Sequence, residues 1–303
     1  IIVGAGLSAL SLAYFLRNSS KRILLLEARS RLGGRIHTLR PNGQDSHVEM
    51  GATWFGTRHV HLMELLHSLK LPFFEQNYRG KALFESMSFT KPQVFSMPEE
   101  VEPTYRIEGG SDRLIQTLAA SLSDTTEIQL AQPVRNIREV EQGVEVETTD
   151  TIYQAEKVVI CTPPNLAVEL LHSCYVEEAT LDLMKFTHTW MHDAIKFALV
   201  ANRPIWTEQG FSGTFYSQVG PVVEMYDHSN AEQSFYSLKG FLASSLKSYS
   251  SDGREEAVRE QMQKCLPFYE ASVFDYVECV WSNEKYTSSM SDINFVAHQH
   301  NGH

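Results

Sequence analysis

The sequence predicts an α/β protein in which a doubly wound, Rossmann-like dinucleotide-binding domain is joined to a second domain on a mixed or antiparallel sheet. Three observations carry this expectation. Wholly apolar segments at Ile1–Val3 and Ile23–Leu26 flank a stretch with helical apolar spacing at Leu7, Leu10, Ala13 and Leu16. Gly4, Gly6 and Ala9 place G-x-G-x-x-A at the turn from the first strand into that helix. Beyond about Lys185 the pattern changes to longer strands with one helix among them.

The bulk composition bounds the rest. A chain of 303 residues exceeds the usual single core, so two domains are expected. With 43% hydrophobic and 21% charged residues and no run of about 18 apolar residues, it reads as a soluble protein without a membrane span. Its 26 basic residues against 37 acidic ones give a net charge of -11, which argues against nucleic acid as a partner. Cys161, Cys174, Cys265 and Cys279 are widely spaced without C-x-x-C, which suits a reducing compartment, by default the cytoplasm. The first residue is not Met and only Ile1, Ile2 and Val3 precede the first glycine, so the natural chain is expected to begin earlier, and a signal peptide upstream stays open.

Along the chain, Ile23–Leu26 is apolar at every position, as in a parallel strand buried on both faces. Leu62, Leu65, Leu66 and Leu69 mark a helix over about residues 59–69. Residues 80–105 are rich in proline and lack a clean period, so short strands and loops of an insertion are expected. Ser111 is a candidate N-cap for a helix carrying Leu114, Ile115, Leu118 and Leu122. Strands are expected at residues 128–130, 134–138, 144–148, 152–155 and 158–161, the middle three as a meander turning at Gly143. Strands at 195–201, 211–217, 222–226 and 235–241 and a helix at 254–266 follow. The expected division is residues 1–79 and 106–185 for the dinucleotide-binding domain, and 80–105 and 186–303 for the second.

The opening motif has a physical reading. Gly4 permits the tight turn, Gly6 lets the backbone approach a pyrophosphate, and the helix start at Leu7 and Ser8 faces the phosphates. Glu27, just past the second strand, stands where a carboxylate takes ribose hydroxyls. "EARSRLGGR" then adds Ala28 and Arg29, and after them Gly33, Gly34 and Arg35. A nicotinamide enzyme has no use for a second glycine pair there, whereas the longer FAD pyrophosphate and ribityl chain needs another close backbone approach and a cation.

"VGAGLSAL" followed by "EARSRLGGR" resembles the FAD fingerprint of the flavin-containing monoamine oxidase family, which includes polyamine and L-amino acid oxidases. "MGATWFG" resembles the family segment beside the flavin ring, which places Gly51, Ala52, Thr53 and Trp54 there. "IEGGSDRLIQTLA" resembles its Gly-Gly helix start, "PVRNI" the strand whose Val134 backbone meets adenine, and "VVICTPP" the strand end where Thr162 and Pro163 approach the flavin. In "AIKFALVANRPIW" a strand alternates Ile195, Phe197 and Leu199 against Ala194, Lys196, Ala198 and Val200. The resemblance assigns to Lys196 the lysine that holds a water beside flavin N5 and supports reaction of reduced flavin with oxygen. It implies hydride removal from a carbon bearing a neutral amine to flavin N5, hydrolysis of the imine, and peroxide as oxygen reoxidises the flavin. The partners implied are a small-molecule amine and oxygen; the sequence leaves the oligomeric state unknown.

Two departures stand beside the likeness. "VWSNEKYTSS" resembles the lead-in to a C-terminal flavin-binding segment that does not follow, so the family's aromatic cage and any covalent flavin cysteine there have no counterpart to assign. The insertion at 80–105 is shorter than the helical portion of animal monoamine oxidases, which leaves the amine class open. A flavin desaturase or dehydrogenase acting on a C–C bond, as in protoporphyrinogen oxidase or phytoene desaturase, and a non-catalytic flavin-fold protein remain alternatives. No metal is expected: His59 and His61 are two apart on a helix and diverge, and "HQHNGH" at 298–303 lacks non-His ligands. Trp206 reads as a packing anchor.

Overall fold

The computed structural model describes residues 1–43, 46–96, 102–189, 191–270, 274–287 and 300. The chain forms two compact units, one of residues 1–36, 114–192 and 282–303, the other of 37–113 and 193–281.

The first unit is built on a parallel sheet of four strands in the spatial order Thr126–Gln129, Ile23–Leu26, Ile2–Val3 and Val159–Ile160. Ile2, Val3, Leu25 and Leu26 are buried, so the uninterrupted apolar runs do mark strands covered on both faces. The helix Leu7–Leu16 buries Ala9, Leu10, Ala13 and Tyr14, with two alanines keeping that face thin. Leu114, Ile115 and Leu118 are the buried stripe of the helix Asp112–Ala120. The expected meander is present as Val134–Val140, Gly143–Thr148 and Ile152–Ala155 in an antiparallel sheet. Gly143 is required at its turn: φ is +118°, and a Cβ there would stand 2.4 Å from the Ala155 carbonyl oxygen.

The second unit carries a mixed sheet of seven strands, in the order Phe274–Val280, Ile195–Ala201, Tyr236–Leu242, Val222–Asp227, Phe211–Ser217, Lys81–Glu85 and Gln93–Ser96. Neighbours are antiparallel except Phe211–Ser217 with Lys81–Glu85. Every residue of Ile195–Ala201 is buried, and the strand divides as its alternation predicts. Ile195, Phe197 and Leu199 join the main core with Val258, Met262 and Cys265 of the helix Ser251–Cys265, while Ala198 and Val200 pack with Val48, Met50 and Phe235. Each fully buried Val, Leu, Ile, Phe or Met side chain among these contributes roughly 1.5–3 kcal/mol. The helix opens on Ser250, whose hydroxyl accepts from the Gly253 N–H at 3.2 Å, a cap worth about 1 kcal/mol. Trp206 is fully buried and donates through Nε1 to Asp227 Oδ2 at 2.7 Å, the anchor role its sequence context suggests.

Two features differ from the sequence reading. Residues 37–79 and 106–113 fall with the second unit rather than the first, and residues 186–192 and 282–287 with the first rather than the second. The short strands of residues 37–79 pair antiparallel, Val48 and Met50 pack on the central strand, and Trp281 Nε1 donates to the Met50 carbonyl at 2.7 Å. The sequence pattern also omits the edge strand Phe274–Val280, because Glu278 falls on the face of Phe274, Tyr276 and Val280 and breaks its apolar alternation. Glu278 is there to receive Arg254 from the helix, at 2.6 Å.

Candidate active site

In the first unit the two glycine motifs lie against each other. Gly4 has φ +96° and its N–H donates to the Leu26 carbonyl at 2.8 Å; a Cβ on it would meet the Cys161 carbonyl oxygen at 3.4 Å and Thr162 Cγ2 at 3.6 Å. Gly6 and Gly33 form a parallel bridge, and the Gly33 N–H donates to the Ala5 carbonyl at 3.0 Å. Gly33 adopts φ +100° and Gly34 φ +57°, and a Cβ on Gly34 would lie 3.6 Å from Gly6 Cα. The helix that begins at Leu7 and Ser8 has no side-chain cap, since its N-cap is Gly6. A bare helix N-terminus beside two glycine turns is a cradle for a pyrophosphate.

Glu27 is buried and joins the two motifs: Oε2 accepts from the Ala5 N–H at 2.8 Å and Oε1 from the Arg29 N–H at 2.9 Å. A carboxylate has about four lone-pair sites, so these two bonds leave capacity for hydroxyl donors. Ala28 lies between these two residues. Arg29 turns to residues 284–287, donating to Lys285 O and Thr287 Oγ1 and pairing with Glu284 at 3.4 Å. Arg31, which the motif reading passes over, braces the second glycine turn by donating to Gly34 O at 3.0 Å. Arg35 is exposed. Val134 opens the first meander strand, opposite Thr148. At the end of the Val159–Ile160 strand, the Thr162 hydroxyl is buried without a hydrogen-bond partner, and Pro163 is the N-cap residue of the helix Pro164–Ala167. An orphaned hydroxyl at the carboxyl end of a parallel strand, next to the Gly4 turn, fits a dinucleotide bound there.

In the second unit the functional side chains gather on the sheet face opposite the main core. Lys196 is buried and donates through Nζ to the Gly51 carbonyl, and its ammonium stands 4.7 Å from the centre of the Phe241 ring. Ala52 is exposed, Thr53 is buried and Trp54 half-buried. Lys239 lies opposite Ala198 in the neighbouring strand, hence on the Lys196 face. Its Nζ donates to the Thr53 hydroxyl and lies 4.3 Å over the Trp54 ring. The same face continues with Glu224 opposite Phe241 and Tyr226 opposite Lys239. The Tyr226 hydroxyl donates to Glu224 at 2.9 Å, and Tyr226 meets Trp54 edge-on at 5.3 Å.

Burial sets the electrostatics. It pushes Lys196 down to about 8, against attraction from buried Glu49. Lys239 is driven well below the ordinary lysine range by burial first and by Lys196 second. Glu49 accepts from the Ser111 N–H at 2.7 Å and from the Thr38 hydroxyl; burial nevertheless raises its pKa. Lys239, Glu49 and Glu224 were missed by the sequence reading. "YSLKGFL" carries for Lys239 the signal that "AIKFALV" carries for Lys196, a lysine within an otherwise buried strand.

His59 is the N-cap residue of the helix Val60–Ser68 and His61 is exposed beside Glu64; no group of three or more His, Cys, Asp or Glu able to hold a metal occurs among the described residues. Apart from His300, the "HQHNGH" stretch lies outside the described residues. Among the described residues no helix is long and apolar enough to cross a membrane.

Paired glycine turns on a parallel sheet, closed by a buried acid, define a dinucleotide-binding unit, and the second pair extends it to a flavin dinucleotide. Residues 2–69 match the NAD(P)-binding Rossmann-like domain, and residues 68–300 match the flavin containing amine oxidoreductases. The chain belongs to the flavin-containing amine oxidoreductase family and is an FAD-dependent oxidoreductase of the amine oxidase type. It is 22% identical to the probable flavin-containing monoamine oxidase A of Dictyostelium discoideum, over 95% of this chain and 84% of that protein. Human flavin-containing amine oxidase B is 20% identical over 95% and 74%. Among solved structures, putrescine oxidase bound to putrescine aligns with a TM-score of 0.82 at 20% identity, covering 94% of this chain and 85% of that one. Cyclohexylamine oxidase from Brevibacterium oxydans aligns at 0.78 with 17% identity and the same coverage.

Proposed function

We propose that this protein oxidises a small-molecule amine, passing hydride from the carbon that bears the neutral amine to FAD and using oxygen as the final acceptor, with peroxide as product. The observation that carries the reading is Lys196, a lysine buried on a strand face and held by the Gly51 carbonyl. FAD supplies the two-electron acceptor when bound. For its adenine, ribose and pyrophosphate we assign Gly4, Gly6, Leu7, Ser8, Glu27, Ala28, Arg29, Gly33, Gly34, Arg35 and Val134; for its ring, Gly51, Ala52, Thr53, Trp54, Thr162 and Pro163.

An ammonium has three N–H donors. Lys196 uses one on Gly51 O, which leaves donors to orient a water and to offer positive charge where oxygen is reduced. The aromatic side chains Trp54, Tyr226 and Phe241 are half-buried on the same face and give an apolar wall suited to the carbon body of an amine that arrives uncharged. The relatives named above are themselves monoamine, putrescine and cyclohexylamine oxidases, which supports an amine as substrate without choosing among these. The four cysteines form no disulfide, in keeping with a cytoplasmic, reducing location.

The test is the visible spectrum of the purified full-length protein, followed by anaerobic addition of primary amines. A flavin spectrum that bleaches with an amine and recovers with oxygen, releasing peroxide, is the expected result. A colourless protein, or a flavin that no amine reduces, overturns the reading.

A further inference from the structure

Within the first unit, a segment distant in sequence closes on the stretch between Glu27 and the second glycine pair. Residues 284–287 form a turn in which the Thr287 N–H donates to the Glu284 carbonyl at 3.3 Å. Arg29 anchors that turn, since its guanidinium donates to the Lys285 carbonyl and to the Thr287 hydroxyl, and Thr287 is buried. With the turn so placed, a single oxygen of Glu284, Oε2, stands 3.4 Å from Arg29 Nε and 3.4 Å from Arg31 Nη2.

Arg31 carries the contact onward to the cradle. Its Nη1 lies 3.3, 3.0 and 3.4 Å from the carbonyl oxygens of Leu32, Gly34 and Ile36, so one guanidinium nitrogen gathers the backbone on both sides of the second glycine pair. Glycine loses more backbone freedom on ordering than any other residue, and a turn built on two of them depends on outside contacts for its shape. Two arginines this close also repel each other. Glu27 is occupied by the Ala5 and Arg29 N–H groups, which leaves Glu284 as the carboxylate that pairs with both guanidinium groups among the described residues.

We propose that Glu284 is a positioning residue for flavin binding: through Arg31 it holds the second glycine turn in the shape that receives the FAD pyrophosphate. The proposal rests on the assignment of Gly33 and Gly34 to that group, and it adds two residues, Glu284 and Arg31, that lie outside the glycine motifs. The charge of Glu284 by itself acts in the opposite direction, because a carboxylate near a pyrophosphate repels it. Any gain in flavin affinity from Glu284 therefore comes through the arginine that it orients. The two effects differ in sign, and a charge-removing variant reads which one prevails.

The experiment measures release of FAD from the full-length holoenzyme on dilution, followed by flavin fluorescence, in the wild type, Glu284→Gln, Arg31→Met and the double variant. Glu284→Gln should release FAD about fivefold faster than the wild type, the worth of one partly exposed ion pair. That difference should shrink in 1 M salt, where the screening length falls to about 3 Å and the pair is weakened in the wild type as well. The double variant should release FAD no faster than Arg31→Met alone, because Glu284 acts through that arginine. Unchanged or slower release from Glu284→Gln overturns the proposal, as does a lowered thermal stability with unchanged release, which leaves Glu284 a structural role only. Additive losses in the double variant overturn it too, and the salt series of Glu284→Gln decides if Arg31→Met does not fold. Flavin release requires no turnover, so equal release from all four proteins sinks this proposal alone, whereas a wild type that holds no flavin sinks the reading on which it rests.

Discussion

Gly6 and Gly33 are paired by a parallel bridge, which sets the N-terminus of the first helix against the second glycine turn. The pairing depends on backbone angles that other residues resist. Gly33 has φ +100°, and a Cβ on it would approach the Ile36 carbonyl oxygen to 2.7 Å, a backbone contact that cannot swing aside. Gly33→Ala therefore costs the left-handed conformation, roughly 1–2 kcal/mol, and a displaced turn in addition. Gly210 provides the control, since it has φ +80° with nothing within 4 Å of the added methyl. The expected result is a Gly33→Ala protein with a lowered ratio of flavin to protein absorbance and a Gly210→Ala protein that keeps the wild-type ratio. Equal flavin content in both would separate the Gly33 turn from flavin binding.

Glu27 makes a second, electrostatic link between the same segments by accepting from the Ala5 and Arg29 N–H groups. In Glu27→Gln one side-chain atom becomes an N–H donor facing an N–H donor. A buried group left unsatisfied in this way costs about 1–3 kcal/mol. Flavin release on dilution should be faster than in the wild type, and the midpoint of thermal unfolding lower. Glu27→Asp keeps the charge but is one carbon shorter; it should lose flavin as well, with a smaller loss of stability.

The parts of this fold that the sequence makes legible share a physical cause. Ile23–Leu26, the meander around Gly143 and the strand Ile195–Ala201 each have a period set by burial on one or both faces, and local pattern records that. The FAD fingerprint is legible because glycine at φ +96° or +100° has no substitute of comparable cost. Residues 37–79 are not legible in the same way, as their place beside the central strand depends on contacts of Val48 and Met50 with Ala198 and Val200, distant in sequence. Lys239 and Glu49 were missed for a related reason. Each occupies a position whose meaning comes from a strand pairing or a backbone donor elsewhere in the chain, Ala198 opposite Lys239 and the Ser111 N–H on Glu49.

Lys196→Met tests the oxygen step directly. The methionine is of similar length and carries no donor, so both the oriented water and the positive charge are lost. Removing one preorganised donor lowers a rate by on the order of 10²-fold. Reduced holoenzyme, prepared anaerobically and mixed with oxygen in a stopped-flow instrument, should reoxidise slower by about that factor, while the anaerobic reduction by amine changes less. In the wild type, the reoxidation rate should fall as pH rises through about 8, where Lys196 loses its proton. A flat profile across that range would detach oxygen reactivity from this ammonium.

The same depressed pKa makes a prediction about stability, with a definite sign. An ordinary lysine titrates near 10.5, and Lys196 does so at about 8 in the folded protein. Between these values the unfolded chain binds more protons than the folded one at this position, so stability contributed there rises with pH. Below about 8 both states are protonated and the folded state carries the whole cost of the buried charge, on the order of 3 kcal/mol. Lys196→Met should therefore unfold at a higher temperature than the wild type at pH 7, and the advantage should shrink as pH is raised from 8 toward 10.5. Thermal unfolding of the two proteins across that series checks this. If the variant is less stable at pH 7, the hydrogen bond from Lys196 to Gly51 outweighs the desolvation of its charge, and the lysine is held in place for packing as much as for chemistry.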